Sequence, residues 1–364
     1  MALIRRRVHS FFDTREAPLS ARMMTEIDFN RQKEGLSMCV VYLLSEQTKL
    51  RQVGGRFLLE KKGKRQASIP MDEVECVIQG KAAEITTPAI YELLARGVCI
   101  FYVDGRGRLL GQLGQVASSN LSWERSRIQY DTFRDEQRQV KLTREIVRLK
   151  MDGQIELLRA YAKSRKDLEI AYLADEVRKY RKKVALTSDI EELRGLEGMA
   201  SRRYFEAFPM ILDSKVWDWN GRNRRPPEDP VNALLSYGYA FLEREVRLAI
   251  LGARLDVRMG FLHSNNGRKD SLVYDLMEPF RQLIIDRLVL KAINRGQFHP
   301  EDFSYDDVLG CRLSEKAREG WISYYEVYMQ RSCREYEGLA PREWIRSWVR
   351  QFADELFRNA ASAV

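Results

Sequence analysis

Between Leu36 and about residue 115 the apolar positions come in short runs. Met38 to Leu44, a β-branched-rich run, is followed by Phe57 to Leu59, Glu75 to Ile78, Val98 to Val103 and Leu109 to Leu113. Gly, Asp, Lys or Pro separates them, as turns separate the strands of a sheet. Gly54-Gly55 and Asp104-Gly105-Arg106-Gly107 predict tight turns. One helix interrupts the strands: Thr87 suits an N-cap, Pro88 the first helical position, and Gly97 a stop after Arg96. From Trp123 onward the period changes. Ile128, Phe133, Val140, Ile146, Val147 and Met151 open a helical series that continues through Ile155 to Tyr161 and Leu168 to Tyr180. Asp229-Pro230 starts a further helix as cap and first residue, and the last helices fall near Glu315 to Arg334 and Arg342 to Asn359. The pattern therefore predicts an α+β chain: a small β-rich, sandwich-like domain over 36–115, a linker over 116–120, and a larger all-α domain over 121–364. Residues 1–35 form an extension with no clear period and a short helix around Ser20 to Lys33.

Composition narrows what such a chain does. Hydrophobic residues make up 45% and charged ones 31% of 364 residues, the balance of a folded chain and not a disordered one. The net charge of +9 favours an anionic partner such as nucleic acid. No apolar run approaches the roughly 18 residues of a membrane span, and no apolar stretch follows Arg5-Arg6-Arg7 to make a secretory signal. Five scattered cysteines contain no CxxC; Cys39, Cys76 and Cys99 lie in apolar runs and read as buried thiols, which fits a reducing cytoplasm.

The candidate chemistry centres on Gly260 to Asn294. His263, one of three histidines, precedes a polar loop that leads to Asp275 and Glu278. Three residues apart on a helix, those two carboxylates project from one face. An imidazole beside two carboxylates suits a divalent metal; a solvated helix face is the plainer reading. Glu197 lies between Gly195 and Gly198 at the expected start of a helix, where backbone N–H groups can meet phosphate or the dipole simply favours a surface Glu. Basic residues crowd the same half: Arg178 to Lys183 around Tyr180, Arg202 and Arg203 after Glu197, Arg222, Arg224 and Arg225 after Trp217 and Trp219, Arg268 and Lys269 after His263, and Arg281 after Glu278. Cations near aromatic rings suit a phosphate backbone with bases to stack. Pro279 has no N–H for the carbonyl of Asp275, which predicts a bend that tips Glu278 toward His263.

Four blocks carry a resemblance. They are Gly195-Leu196-Glu197-Gly198-Met199-Ala200 with Tyr204-Phe205; Asn232-Ala233-Leu234-Leu235-Ser236-Tyr237-Gly238-Tyr239; Gly260-Phe261-Leu262-His263; and Asp275-Leu276-Met277-Glu278-Pro279-Phe280-Arg281 with Asp286-Arg287. In order and spacing they resemble the CRISPR-associated spacer-acquisition integrase and endonuclease family, the catalytic subunit of the adaptation complex. The resemblance covers roughly residue 36 to the end, so the extension before it stands outside the pattern. It implies a catalytic metal site of Glu197, His263 and Glu278 with Asp275 nearby, holding Mg²⁺ or Mn²⁺. It further implies a homodimer joined mainly through the β domain, and two such dimers flanking a dimer of a second, small CRISPR adaptation protein. The implied reaction is insertion of short double-stranded DNA fragments into the CRISPR repeat by 3′-hydroxyl transesterification, with nuclease activity on branched DNA. Two carboxylates and an imidazole suit Mn²⁺ and tolerate Mg²⁺, and such chemistry needs no protein nucleophile. The competing expectation is a non-catalytic DNA-binding scaffold with structural carboxylates. Asp286 is expected only as a salt-bridge partner.

Overall fold

Val41 and Leu43, and Phe57 and Leu59, are buried at alternate positions of their runs, as in strands with one covered face, whereas Cys76 to Ile78 and Ile100-Phe101 are buried in succession. The computed structural model describes residues 39–361 apart from 106, 115–119, 214, 224–225 and 264–269. The helix expected around Ser20 to Lys33, Met38, and the basic residues Arg224, Arg225, Arg268 and Lys269 lie outside the described residues. The described chain falls into two compact units, a β-rich one over 39–113 and a mostly helical one from Asn120.

The first unit holds β1 (Cys39–Leu43), β2 (Thr48–Val53), β3 (Arg56–Lys61), β4 (Lys64–Pro70), β5 (Val74–Gly80), β6 (Glu84–Ile85), α1 (Thr87–Ala95), β7 (Cys99–Val103) and β8 (Leu109–Leu113). They make two four-stranded sheets, β1-β5-β7-β8 and β4-β3-β2-β6. Val41, Leu43, Val77 and Ile100 of the first sheet share one core with Leu50, Phe57, Leu59 and Ile69 of the second. Gly54 and Gly55 both adopt positive φ, +54° and +77°, the backbone a two-residue hairpin between β2 and β3 requires. The helix cap differs from expectation: Thr86 is the N-cap of α1 and Thr87 its first residue. β2 and β4 carry weak apolar signals. β4 reads Lys-Arg-Gln-Ala-Ser-Ile-Pro and pairs only with β3 at the sheet edge, where polar side chains are ordinary. The thiols also divide. Cys76 is buried mid-strand, whereas Cys39 and Cys99 begin their strands and are half-buried; none of the five cysteines is in a disulfide.

The second unit contains α2 (Asn120–Arg134), α3 (Glu136–Arg165), α4 (Leu168–Val184), α5 (Ile190–Glu206), α6 (Phe208–Ile211), α7 (Pro230–Gly252), α8 (Ser271–Phe280), α9 (Arg287–Asn294), β9 (Phe303–Asp306), β10 (Gly310–Leu313), α10 (Glu315–Gln330) and α11 (Pro341–Ala361). Aspartates cap four starts: Asp135, Asp167, Asp189 and Asp229 accept from backbone N–H groups of α3, α4, α5 and α7. The unit is not all-α. β9 and β10 pair as a hairpin that buries Phe303, Cys311 and Leu313. Gly310 makes it possible: φ is +70°, and a Cβ there would sit 2.3 Å from the carbonyl oxygen of Pro227. Between α8 and α9 the helix widens into a π turn, Arg281–Asp286. α7 runs close beside it because Gly238 has no side chain; a Cβ would lie 2.7 Å from Ile285 Cγ2. No helix among the described residues is long and apolar enough to cross a membrane.

Candidate active site

Asp275 organises the stretch before it. Its carboxylate is 0% exposed on α8 and accepts from the backbone N–H groups of Phe261 (2.6 Å), Leu262 (3.0 Å) and His263 (2.9 Å). It also meets His263 Nδ1 at 2.6 Å. Gly260 permits this close wrapping, since a Cβ would fall 2.7 Å from Asp275 Oδ2 and 2.6 Å from Ser271 Cβ. The loop carbonyls are held from other helices: Phe261 O by Gln139 and Thr143 of α3, and Leu262 O by Arg194 of α5. The Phe261 ring packs edge-on to Phe133 and stacks on Phe352. In the neutral ring, Nδ1–H donates to Asp275 and Nε2 keeps its lone pair for another partner. The His263 side chain remains 43% exposed.

The helix does not restart at Glu278, and Glu278 is not tipped onto His263. Helix α8 continues through Pro279, and the missing N–H and crowded ring are accommodated by the π turn that follows. His263 therefore bonds Asp275, and Glu278 bonds elsewhere. Glu278 is 3% exposed, and its Oε1 accepts from Arg281 Nε at 3.0 Å. Its Oε2 lies 2.6 Å from Lys150 Nζ of α3, yet no donor is aligned on that oxygen as a hydrogen bond. The same ammonium donates to Glu197 Oε1. Glu197 stands in the middle of α5 and not at its start, which Asp189 caps. So α3, α5 and α8 bring two acidic side chains to one buried cation.

Sequence reasoning missed Lys150. Its only signal is a charged residue between Leu149 and Met151 in an otherwise buried stretch of α3. Burial acts to lower the lysine pKa, but Glu197 and Glu278 outweigh it and hold the pKa above its ordinary value. For Glu278, burial acts to raise the pKa; Arg281, Lys150 and His263 prevail and leave it well below the carboxylate range.

A second polar chain runs inward from the same place. The Arg281 guanidinium lies over the Tyr239 ring at 4.7 Å, and Asp286 accepts from Tyr239 (2.6 Å) and Tyr204 (2.8 Å). The salt-bridge expectation for Asp286 is corrected: it is fully buried, and two phenols are its hydrogen-bond donors. Burial raises its carboxyl to about 6 against the opposing effect of those hydrogen bonds. A folded pKa above the ordinary 3.8 means the native state holds the proton more tightly. This group's contribution is therefore most favourable below about pH 4 and is lost as pH rises toward 6, by about 3 kcal/mol. We expect Asp286→Asn to remove that slope. Urea unfolding of both proteins between pH 4 and 7 checks it, and parallel pH profiles would reject it.

The other predicted contact residues separate. Arg202 is 83% exposed and Arg203 partly so, each paired with Glu206. Arg222 instead turns inward to Asn232 and Ser236, and Arg281 is buried on Glu278. Trp217 is buried against Phe303 and Trp219 stacks on Phe208, so neither ring stands free for bases as expected. Within the basic run of α4, Arg178, Lys179 and Arg181 pair with acidic neighbours.

Among the described residues, no three His, Cys, Asp or Glu side chains form a group that could hold a metal ion. The donor chemistry nevertheless fits a hard cation. An ammonium already lies between the carboxylates of Glu197 and Glu278, a buried oxygen of Glu278 has no aligned donor, and His263 is near enough to act electrostatically on Glu278.

The family model described as CRISPR associated protein Cas1 matches residues 41–327. CRISPR-associated endonuclease Cas1 1 of Thermus thermophilus is 32% identical over 286 residues, 79% of this chain and 85% of that relative. The chain spans about half the length of two curated Cas4/Cas1 fusions that it matches, 47% and 53%. Among solved structures, a CAS1 protein from Thermotoga maritima shares the fold with a TM-score of 0.75 and 24% identity, over 87% of this chain and 97% of that one. A chain of a Cas6-RT-Cas1–Cas2 complex does so with a TM-score of 0.76 and 24% identity, over 90% of this chain and 36% of that one.

Proposed function

Because the chain belongs to the Cas1 family of CRISPR-associated proteins, we propose that it is a metal-dependent DNA endonuclease and integrase. In this reading it joins the 3′-hydroxyl ends of short double-stranded DNA to a CRISPR repeat by transesterification and cuts branched DNA. The observation that carries the reading is the meeting of Glu197 and Glu278 on one buried cation beside the Asp275-held His263.

Glu197, Glu278 and His263 would hold Mg²⁺ or Mn²⁺. When bound, such an ion supplies a Lewis acid for the phosphodiester. The chain's own residues supply position. Asp275 fixes the His263 ring, and Arg281 holds one oxygen of Glu278 so that the other is left to the site. Arg202 and Arg203, about one and a half turns beyond Glu197, offer guanidinium groups to phosphate at the exposed end of α5. We further propose a homodimer joined through the β unit, two of which flank a dimer of the small second adaptation protein, working on DNA in the cytoplasm.

The test mixes the protein and its small partner with a short 3′-hydroxyl duplex and a repeat-bearing plasmid, in Mn²⁺ or EDTA. Joined or cut products in Mn²⁺ and none in EDTA are expected; equal products in both reject metal dependence. A non-catalytic scaffold has one observation in its favour, since Lys150 already neutralises the carboxylates. It predicts salt-sensitive DNA binding, with log K falling about 0.9 per phosphate contact per log unit of salt, and no product in either condition.

A further inference from the structure

Lys150 has no part in the reaction proposed above, yet it is 6% exposed and its ammonium reaches both carboxylates. Lysine is almost never buried without a partner, because the charged head loses its hydration. Here the partners come from two other helices, so the contact joins α3, α5 and α8 where the acidic groups of the candidate site converge. Glu197, Glu278 and Asp275 against Lys150 and Arg281 leave a net charge of −1, counting His263 as neutral. A divalent cation added without moving Lys150 would turn that set net positive among largely buried side chains, which is unfavourable.

We infer that Lys150 is a built-in counter-ion that keeps Glu197 and Glu278 together before the metal arrives, and that the metal binds by taking its place. The inference rests on the proposed metal site. Lys150 is a positioning residue in this scheme, and its displacement sets how tightly the ion is held. Once displaced, its ammonium is free to meet an anionic phosphate, which is how the site's charge would be balanced again when DNA is present.

The experiment titrates Mn²⁺ calorimetrically into the full-length protein without DNA, for the unaltered chain, Lys150→Met and Lys150→Arg. Removing the competing charge should tighten Mn²⁺ binding about tenfold or more in Lys150→Met, a change of about 1.4 kcal/mol. Lys150→Arg keeps the charge and should not tighten it. Folded Lys150→Met that binds Mn²⁺ no more tightly than the unaltered protein overturns the inference. A second measurement needs no variant: acetylation of lysines by an N-hydroxysuccinimide ester, read by mass spectrometry. Lys150 should be protected without metal and labelled with Mn²⁺ bound; saturation with Mn²⁺ and no change in labelling also overturns the inference. If the unaltered protein does not bind Mn²⁺ at all, the metal reading itself fails and takes the inference with it.

Discussion

Asp275→Ala should lower the stability of the helical unit by about 3–5 kcal/mol, the range seen when a buried polar network loses its centre. Asp275 is fully buried and receives three backbone N–H groups. Each donor left without an acceptor costs about 1–3 kcal/mol, partly relieved as the loop relaxes. For a unit of this size the unfolding temperature should fall by roughly 10 °C. Calorimetry would detect it, and a shift under about 2 °C would show that the loop holds its shape without the carboxylate. The same substitution frees the His263 ring. On the proposed function, Asp275→Ala and His263→Ala should each cut DNA joining, and the double variant should lose little more than either alone. Two residues acting through one imidazole are not additive. Additive losses would mean that Asp275 acts on the reaction by another route.

What the sequence made legible, and what it did not, follows from the range of the forces involved. Periodicity and capping are local, so the β-then-α order, the Asp229-Pro230 start of α7 and the Gly54-Gly55 turn could all be read from neighbouring residues. β4 was hidden because its strand character comes from pairing with β3 and not from its own side chains. The β9–β10 hairpin was hidden for a different reason, since its glycine answers to Pro227, more than eighty residues earlier. At the site, Glu197, His263, Asp275 and Glu278 stood out by residue type and block spacing. Their partners did not. Lys150 is one of many helical lysines until α5 and α8 pack on α3, and Asp286 reads as a salt-bridge partner until Tyr204 and Tyr239 cover it. The π turn after Pro279 is the clearest case. Proline chemistry foretold an irregularity, and it takes the form of a helix that continues through the proline and widens beyond it.

Glu278→Gln isolates the charge of the one carboxylate that both Lys150 and Arg281 contact. On the proposed function it should reduce metal-supported DNA joining by about 10²–10³-fold or more, the scale on which loss of a group stabilising transition-state charge is felt. DNA retention on a filter at fixed salt should change little, since Glu278 is buried and donates nothing to phosphate. A second readout is independent of any activity. The Glu278 pKa is held below its ordinary 4.5, at about 2, so its ion pairs add stability that is fully present above pH 4.5 and is lost as pH falls toward 2. A carboxamide does not titrate. The variant should therefore be less stable at pH 7 by on the order of 3 kcal/mol, with the gap closing on acidification. Denaturant unfolding at pH 7, 5, 4 and 3 measures both the gap and its closure. A gap that stays constant with pH would show that the carboxylate's charge is not what Lys150 and Arg281 hold. Unaltered joining activity beside a closing gap would instead assign Glu278 to stability alone and remove it from the proposed metal site.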